Sequence, residues 1–350
     1  MRHRLSVGSR HLLRALCVAT LVTLALPAAA QTRSSWCAGG KPVKFAGLTW
    51  ESGTFITALM RQVMERGYGC TTEEIIGNSI TLETALSTND IQVFAEEWVG
   101  RSDAWNKAAA AGKVKGVGKV IQGAAEGWYV PDFVVNGDAA RGIKPLAPTL
   151  NSVSDLPLYK NVFKDEEEPD KGRFLNCPSG WTCEGINTRK LEAYKLAASY
   201  VNFRPGTGAA LDAAVLSAVQ RGKPILFYYW TPTGLMGRYK FIRLHEPAYN
   251  EACYKTLTDR NSAAPCGSSD PEPVIQAGVS RAFCDGDPAL VAMLGKFQVP
   301  IQLLNQALGA MADKKLGATA AAKEFLKANP ALWHQWVPDD VAARIARSLV

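Results

Sequence analysis

The chain has 350 residues, of which 47% are apolar and 20% charged, with a formal net charge of +7. That length suits one large domain or two packed lobes, and that balance excludes a disordered chain, a collagen and a coiled coil. Four of the 39 basic residues (Arg2, Arg4, Arg10 and Arg14) lie in the first 30, which hold no acid, so removing that stretch leaves +3, too little for a nucleic-acid-binding surface.

The N-terminus reads as an export signal. A basic stretch is followed by twelve uncharged, mainly apolar residues, Ala15 to Leu26, and then by the small residues Ala28-Ala29-Ala30. Cutting is expected after Ala30. The apolar run falls short of the roughly 20 residues that a membrane span needs, and Cys17 follows Arg14-Ala15-Leu16 rather than a small-residue lipidation box. A soluble periplasmic product is expected. Seven cysteines would remain, and in an oxidising compartment they are read as disulfides. Cys177 and Cys183 are the easiest local pair, Cys37 with Cys70 would tie the first strand region to the end of the first helix, and one of Cys253, Cys266 and Cys284 stays unpaired. A zinc site would need four nearby Cys/His ligands, which are not evident. No metal or cofactor is expected.

In chain order, VKFAGL (43–48) reads as a buried strand. Residues 54–66 read as a helix with Phe55, Ile56, Leu59, Met60, Val63 and Met64 on one face and Gly67 as its stop. A strand at Ile75-Ile76, a short helix at 82–86 and a strand at 91–98 follow. This alternation predicts an α/β fold with a largely parallel sheet, whose ligands sit beyond the C-terminal strand ends. Trp50-Glu51-Ser52-Gly53 and Glu96-Glu97-Trp98 fall at such ends. Residues 114–121 and 127–135 read as strand material broken by Pro131, and the charge run at 164–173 as a solvated loop. Helices are expected at about 189–201 and 208–221, and ILFYYW (225–230) as a strand carrying an aromatic residue to a cleft. Residues 240–285 read as loop-rich. Asp287-Pro288 opens a helix, and another spans about 318–327.

The chain lacks a nucleophile elbow, a P-loop and a dinucleotide-binding glycine pattern, and nothing marks a serine partner for His245. Glu96 and Glu97 are neighbours on a strand and point to opposite faces, so they are no obvious catalytic pair. The aromatic signal is stronger. Trp98 and Trp230 end proposed strands, and Trp181 sits in the Cys177–Cys183 loop. Three indoles on rigid supports could box a quaternary ammonium, which their faces attract and which donates no hydrogen bond.

The segments VFAEEW, NCPSGWTCEGIN and KPILFYYWTPTG resemble the periplasmic glycine betaine/proline betaine substrate-binding proteins of ABC importers, in particular the ProX-like branch. The likeness runs from about Val43 to the C-terminal helices. It implies a type II periplasmic-binding-protein fold, with two α/β lobes joined by a hinge: lobe 1 from 31–130 and 241–350, lobe 2 from 131–240. It implies cage residues Trp98, Trp181 and Trp230, a pinning disulfide Cys177–Cys183, and backbone N–H donors at Thr182 and Cys183 for a ligand carboxylate. Where that branch has a histidine four residues after its first cage tryptophan, this chain has Ser102, with Arg101 before it, and either could substitute. Glu51 and Glu97 complete the candidate ligand contacts, and acids beside the cage would favour a more cationic ligand such as choline or carnitine. The implied role is binding without turnover, by a monomer that hands its ligand to an inner-membrane permease. A ligand-binding partner of a sensory receptor and an exported hydrolase are the alternatives.

Overall fold

The computed structural model describes Thr32–Val350 together with Met1 and His3. The expected leader otherwise lies outside the described residues, as do Cys17 and the cutting point after Ala30. Among the described residues ten strands follow in chain order: β1 Val43–Gly47, β2 Thr72–Ile76, β3 Val93–Trp98, β4 Val114–Ile121, β5 Ala125–Pro131, β6 Gly172–Leu175, β7 Tyr200–Phe203, β8 Leu226–Thr231, β9 Phe241–Arg243 and β10 Ile275–Ser280. They form two five-stranded sheets, ordered β2-β1-β3-β10-β4 and β7-β6-β8-β5-β9.

The two sheets share one plan. Three strands run parallel, with the earliest in the middle, and the next is antiparallel. That antiparallel strand has just crossed from the other lobe: β10 in the first sheet and β5 in the second. The strand on its far side, β4 or β9, is antiparallel to it in turn, so four of the five strands in each sheet share one direction and each sheet is largely parallel with a single reversed strand. In both, the C-terminal ends of the parallel strands carry the loops that hold Trp50, Trp98, Trp181 and Trp230, which is where an open α/β sheet leaves its crevice.

Lobe membership differs from the sequence expectation at both crossovers. β5 begins at Ala125 and pairs with β8, so 125–130 belongs with the second lobe. Residues 241–270 also pack there. β9 pairs with β5, Tyr254 and Leu257 of helix Glu251–Thr258 pack on Ile186, and Lys190 holds Glu246 at 2.7 Å and Asp270 at 2.6 Å. The chain changes lobes at 122–124 and between Pro271 and Val274.

Other boundaries moved for local reasons. The helix expected at 54–66 starts at Glu51, continues as a π turn over Met64–Tyr68, and stops at Gly69 in the left-handed region, φ 71°. Gly67 lies inside it, packed against Val341 and Ile345 of the last helix. The helix expected at 189–201 runs instead over Thr182–Ala193, immediately after Trp181, and residues 200–203 are strand β7. Helix Gly208–Arg221 falls where the periodicity placed it, and Asp287 caps the helix that follows it by accepting the Leu290 N–H at 2.9 Å. Among the described residues three disulfides are present, Cys37–Cys70, Cys177–Cys183 and Cys253–Cys266, and Cys284 is unpaired.

Candidate functional site

A pocket of about 450 Å³, its open mouth included, lies between the lobes. Trp98, Trp181, Trp230, Thr182 and Cys183 line it together. Trp98 comes from the end of β3 in the first lobe, Trp230 from the end of β8, and Trp181 from the turn before helix Thr182–Ala193. Gly180 makes that turn at φ 88°, where an L side chain would be strained and would press on Asn78 of the other lobe.

Sequence reasoning missed a fourth indole. Trp50, between β1 and its helix, meets Trp181 edge-on with centroids 5.6 Å apart, and Trp181 meets Trp230 the same way at 5.5 Å. Tyr228 stacks beside Trp230 at 6.3 Å. Trp50 stood in a strand-end segment already singled out, and that position was its only signal.

One buried carboxylate oxygen holds two of these rings. Glu96 Oε1 accepts the indole N–H of Trp50 at 2.8 Å and of Trp98 at 3.0 Å, and the Ser52 hydroxyl at 3.1 Å. Its other oxygen has no partner among the described residues. Burial pushes the Glu96 carboxyl up to about 7, against the three donors that pull it down. Glu96 therefore sits behind the aromatic wall as an acid poised near neutrality. Anchored N–H groups fix the rings and leave their faces to the pocket.

Several contacts tie the lobes together. The Trp181 indole donates to Thr49 Oγ1 at 3.1 Å. The backbone N–H of Gly234 donates to Glu51 Oε2 at 2.9 Å. Arg101 donates to Glu126 Oε1 from Nε at 2.8 Å and to the Pro271 carbonyl at 2.9 Å. Within the second lobe, Tyr228 supports that acid by donating its hydroxyl to the second Glu126 oxygen at 2.6 Å. Arg101 and Glu126 are 4% and 5% exposed, so this is a fully desolvated pair at the pocket wall.

Three expected contacts stand apart from the pocket. Ser102 turns away: it caps helix Asp103–Ala110 and donates to the buried Glu83. Of the two candidates for the missing histidine, only Arg101 reaches the pocket. Glu51 is engaged with Gly234. Glu97 alternates to the sheet face opposite Glu96, as strand geometry dictates, where burial and the Glu83 charge hold its carboxyl well above the usual range. Glu83 is itself raised to about 7, mainly by burial.

The arrangement offers aromatic faces to a cation at one end. At the other lie the first N–H groups of helix Thr182–Ala193, which lack intrahelical acceptors and carry the positive end of its dipole. The Cys177–Cys183 bridge holds that helix start against the end of β6. Such a pocket can hold a small zwitterion and contains no nucleophile–base pair.

A family model for the substrate-binding domain of ABC-type glycine betaine transport systems matches residues 41–328. The glycine betaine/proline betaine-binding periplasmic protein of Escherichia coli K12 is 24% identical over 301 residues, 83% of this chain and 87% of that protein. The trimethylamine N-oxide-binding protein of Pelagibacter ubique is 24% identical over 295 residues, 84% and 90% of the two. The crystal structure of the glycine betaine/L-proline-binding protein ProX from Borrelia burgdorferi superposes with a TM-score of 0.69 at 18% identity, over 87% of this chain and all of that one.

Fold and pocket define a two-lobed binding protein of the type II periplasmic class. The chain belongs to the family of substrate-binding domains of ABC-type glycine betaine transport systems. It is the extracytoplasmic substrate-binding component of an importer for glycine betaine or a related osmolyte, acts with a membrane permease, and is not an enzyme.

Proposed function

We propose that the protein, cut from its leader after Ala30, works as a monomer that closes on a carboxylated trimethylammonium compound, with glycine betaine as the type ligand. Trp50, Trp98, Trp181 and Trp230 surround the ammonium head. Each good cation–π contact contributes about 0.5–2 kcal/mol, more when water is excluded. The ligand carboxylate lies against the N–H groups of Thr182 and Cys183, whose fixed dipoles bind an anion without ordering a side chain. A primary ammonium would lose its hydrogen bonds to water against indole faces, so free amino acids are rejected. The observation that carries this reading is the convergence, from three separate segments and two lobes, of Trp98, Trp181 and Trp230 on one pocket beside a helix start.

A second reading, a cation without a carboxylate such as choline, is favoured by Glu96 behind the cage and by Arg101 being already engaged with Glu126. Calorimetry of ligand-stripped protein with glycine betaine, proline betaine, choline, carnitine and proline separates the two. Tight one-to-one binding of a betaine with choline weak supports the zwitterion reading. A choline preference replaces it with the second, and silence across the panel removes both.

A further inference from the structure

Thr182 and Cys183, the anion's partners in the reading above, both belong to the second lobe. In the first lobe Arg101 is taken up by Glu126, and Ser102 by Glu83. The first lobe also brings Ser79 to the pocket. It lines the same wall space as Thr182 and Cys183 and is only 7% exposed. Among the described residues its hydroxyl has no hydrogen-bond partner. Leaving a buried hydroxyl unpaired is costly, so an acceptor that arrives with the ligand is a net gain.

Ser79 is also the first residue of helix Ser79–Ser87, which follows the C-terminal end of β2. Asn78 caps that helix by accepting the Thr81 N–H at 3.0 Å, and its carbonyl accepts the Leu82 N–H at 3.0 Å. The N–H groups of Ser79 and Ile80 have no acceptor among the described residues and carry the positive end of the helix dipole. The second lobe brings its own helix start to the same place. Gly180, just ahead of helix Thr182–Ala193, lies so near Asn78 that an added Cβ would stand 2.9 Å from the Asn78 Cβ. Two positive helix ends, one from each lobe, therefore meet at one pocket, and an anion between them relieves both. The nearby acids are engaged elsewhere. Glu83, one turn along the same helix, accepts from Ser102 and from the Trp105 N–H, and Glu126 holds Arg101.

We propose that Ser79 is the first lobe's contact to the ligand carboxylate and a residue that sets specificity. Its hydroxyl donates to the carboxylate from one lobe while the Thr182 and Cys183 N–H groups hold it from the other. The proposal rests on the zwitterion reading above. A neutral donor suits this position, because it holds the anion without setting a second cation beside the ammonium head. The carboxylate then bridges the two lobes, and a ligand without one leaves the Ser79 hydroxyl and both helix starts unanswered.

The test is calorimetry with glycine betaine and choline on the unaltered protein, Ser79→Ala and Ser79→Asp, with circular dichroism and Tm as checks on folding. Ser79→Ala removes the hydroxyl and keeps the helix. An acid at a helix start supports the helix, so Ser79→Asp keeps the fold and sets a negative charge against the carboxylate. Glycine betaine affinity is expected to fall about tenfold in Ser79→Ala and about a hundredfold or more in Ser79→Asp. Choline is expected to stay within about twofold in Ser79→Ala and to lose nothing in Ser79→Asp. Glycine betaine affinity unchanged in Ser79→Ala, or equal losses for the two ligands, overturns the role of Ser79 and leaves the cage standing. Unaltered protein that binds choline and not glycine betaine, or neither, overturns the zwitterion reading and the Ser79 contact with it.

Discussion

Trp98 donates its indole N–H to Glu96, two residues back on the same strand, at 3.0 Å, and that oxygen also accepts the N–H of Trp50. Alternation along β3 puts Glu96 and Trp98 on one face, so a single buried carboxylate sets the angle of two rings contributed by different segments of the lobe. An ionised Glu96 also adds a negative charge behind the faces that a cation would approach.

That relation makes binding depend on pH. The Glu96 carboxyl is raised from 4.5 to about 7, chiefly by burial. Between those values the folded protein keeps a proton that the unfolded chain has released. The stability contributed is present in full below about pH 4.5 and lost as pH rises through 7. Affinity for a cation should move the opposite way and strengthen above neutrality. Glu96→Gln is expected to raise Tm by about 3–6 °C at pH 8 and by little at pH 5. The same variant should weaken binding about fivefold at pH 8, on the order of 1 kcal/mol for one charge in a partly screened site. Thermal melts and titrations at both pH values check it, and equal effects at pH 5 and 8 would remove the charge argument.

The fourth indole should matter as much as the three that the family pattern implied. Trp50→Ala is expected to weaken glycine betaine binding about tenfold or more, as are Trp98→Ala, Trp181→Ala and Trp230→Ala. Trp50→Phe separates ring from tether, because it keeps an aromatic face and loses the bond to Glu96. An intermediate loss for Phe, with circular dichroism unchanged, places Trp50 in the wall. Affinity untouched by Trp50→Ala excludes it.

The readable part of this site was chemical, and the unread part was tertiary. Tryptophans at strand ends and in a cysteine-bounded loop stand out in a sequence because their support is local. Glu126 lay between the two segments read as broken strand and was not singled out, and its role comes from Arg101, which reaches it from the other lobe. Ser102 and Arg101 could not be ranked from spacing, because the capping of helix Asp103–Ala110 decides which one turns inward. Among fold elements, β10 (IQAGVS) was passed over as loop. It mixes Gln, Gly and Ser with only two β-branched residues, and pairing with β3 and β4 makes it a strand. The lobe boundary at 240 failed for a similar reason, since Lys190 binds Glu246 and Asp270 far along the chain.

Removing the Cys177–Cys183 bridge tests the anion end. The loop it closes is short, so a Cys177→Ser/Cys183→Ser variant should lose only about 2 kcal/mol of stability. The loss in affinity should be selective. On the proposed reading the glycine betaine carboxylate rests on the Thr182 and Cys183 N–H groups, and choline, which has no carboxylate, does not use them. The expected result is a several-fold greater loss for glycine betaine than for choline, read by titration at a temperature where the variant is folded. Equal losses would assign the bridge to packing alone.

Arg101 and Glu126 predict a different signature, because they join the lobes rather than the ligand. Arg101, from the first lobe, reaches Glu126 on β5 of the second, where the pair is buried, and also donates to the Pro271 carbonyl at 2.9 Å. Arg101→Met leaves Glu126 unpaired with only the Tyr228 hydroxyl, and uncompensated burial of a charge costs about 3–5 kcal/mol. Opening the cleft lets Glu126 regain water, so the cost falls on closure instead of on folding. The expected result is a Tm nearly unchanged without ligand, glycine betaine affinity down by about tenfold or more through faster release, and a larger radius of gyration by small-angle scattering. Adding Glu126→Gln removes the stranded charge and should restore most of the affinity. If the double variant binds no better than Arg101→Met, Arg101 acts on the ligand directly and the latch is wrong.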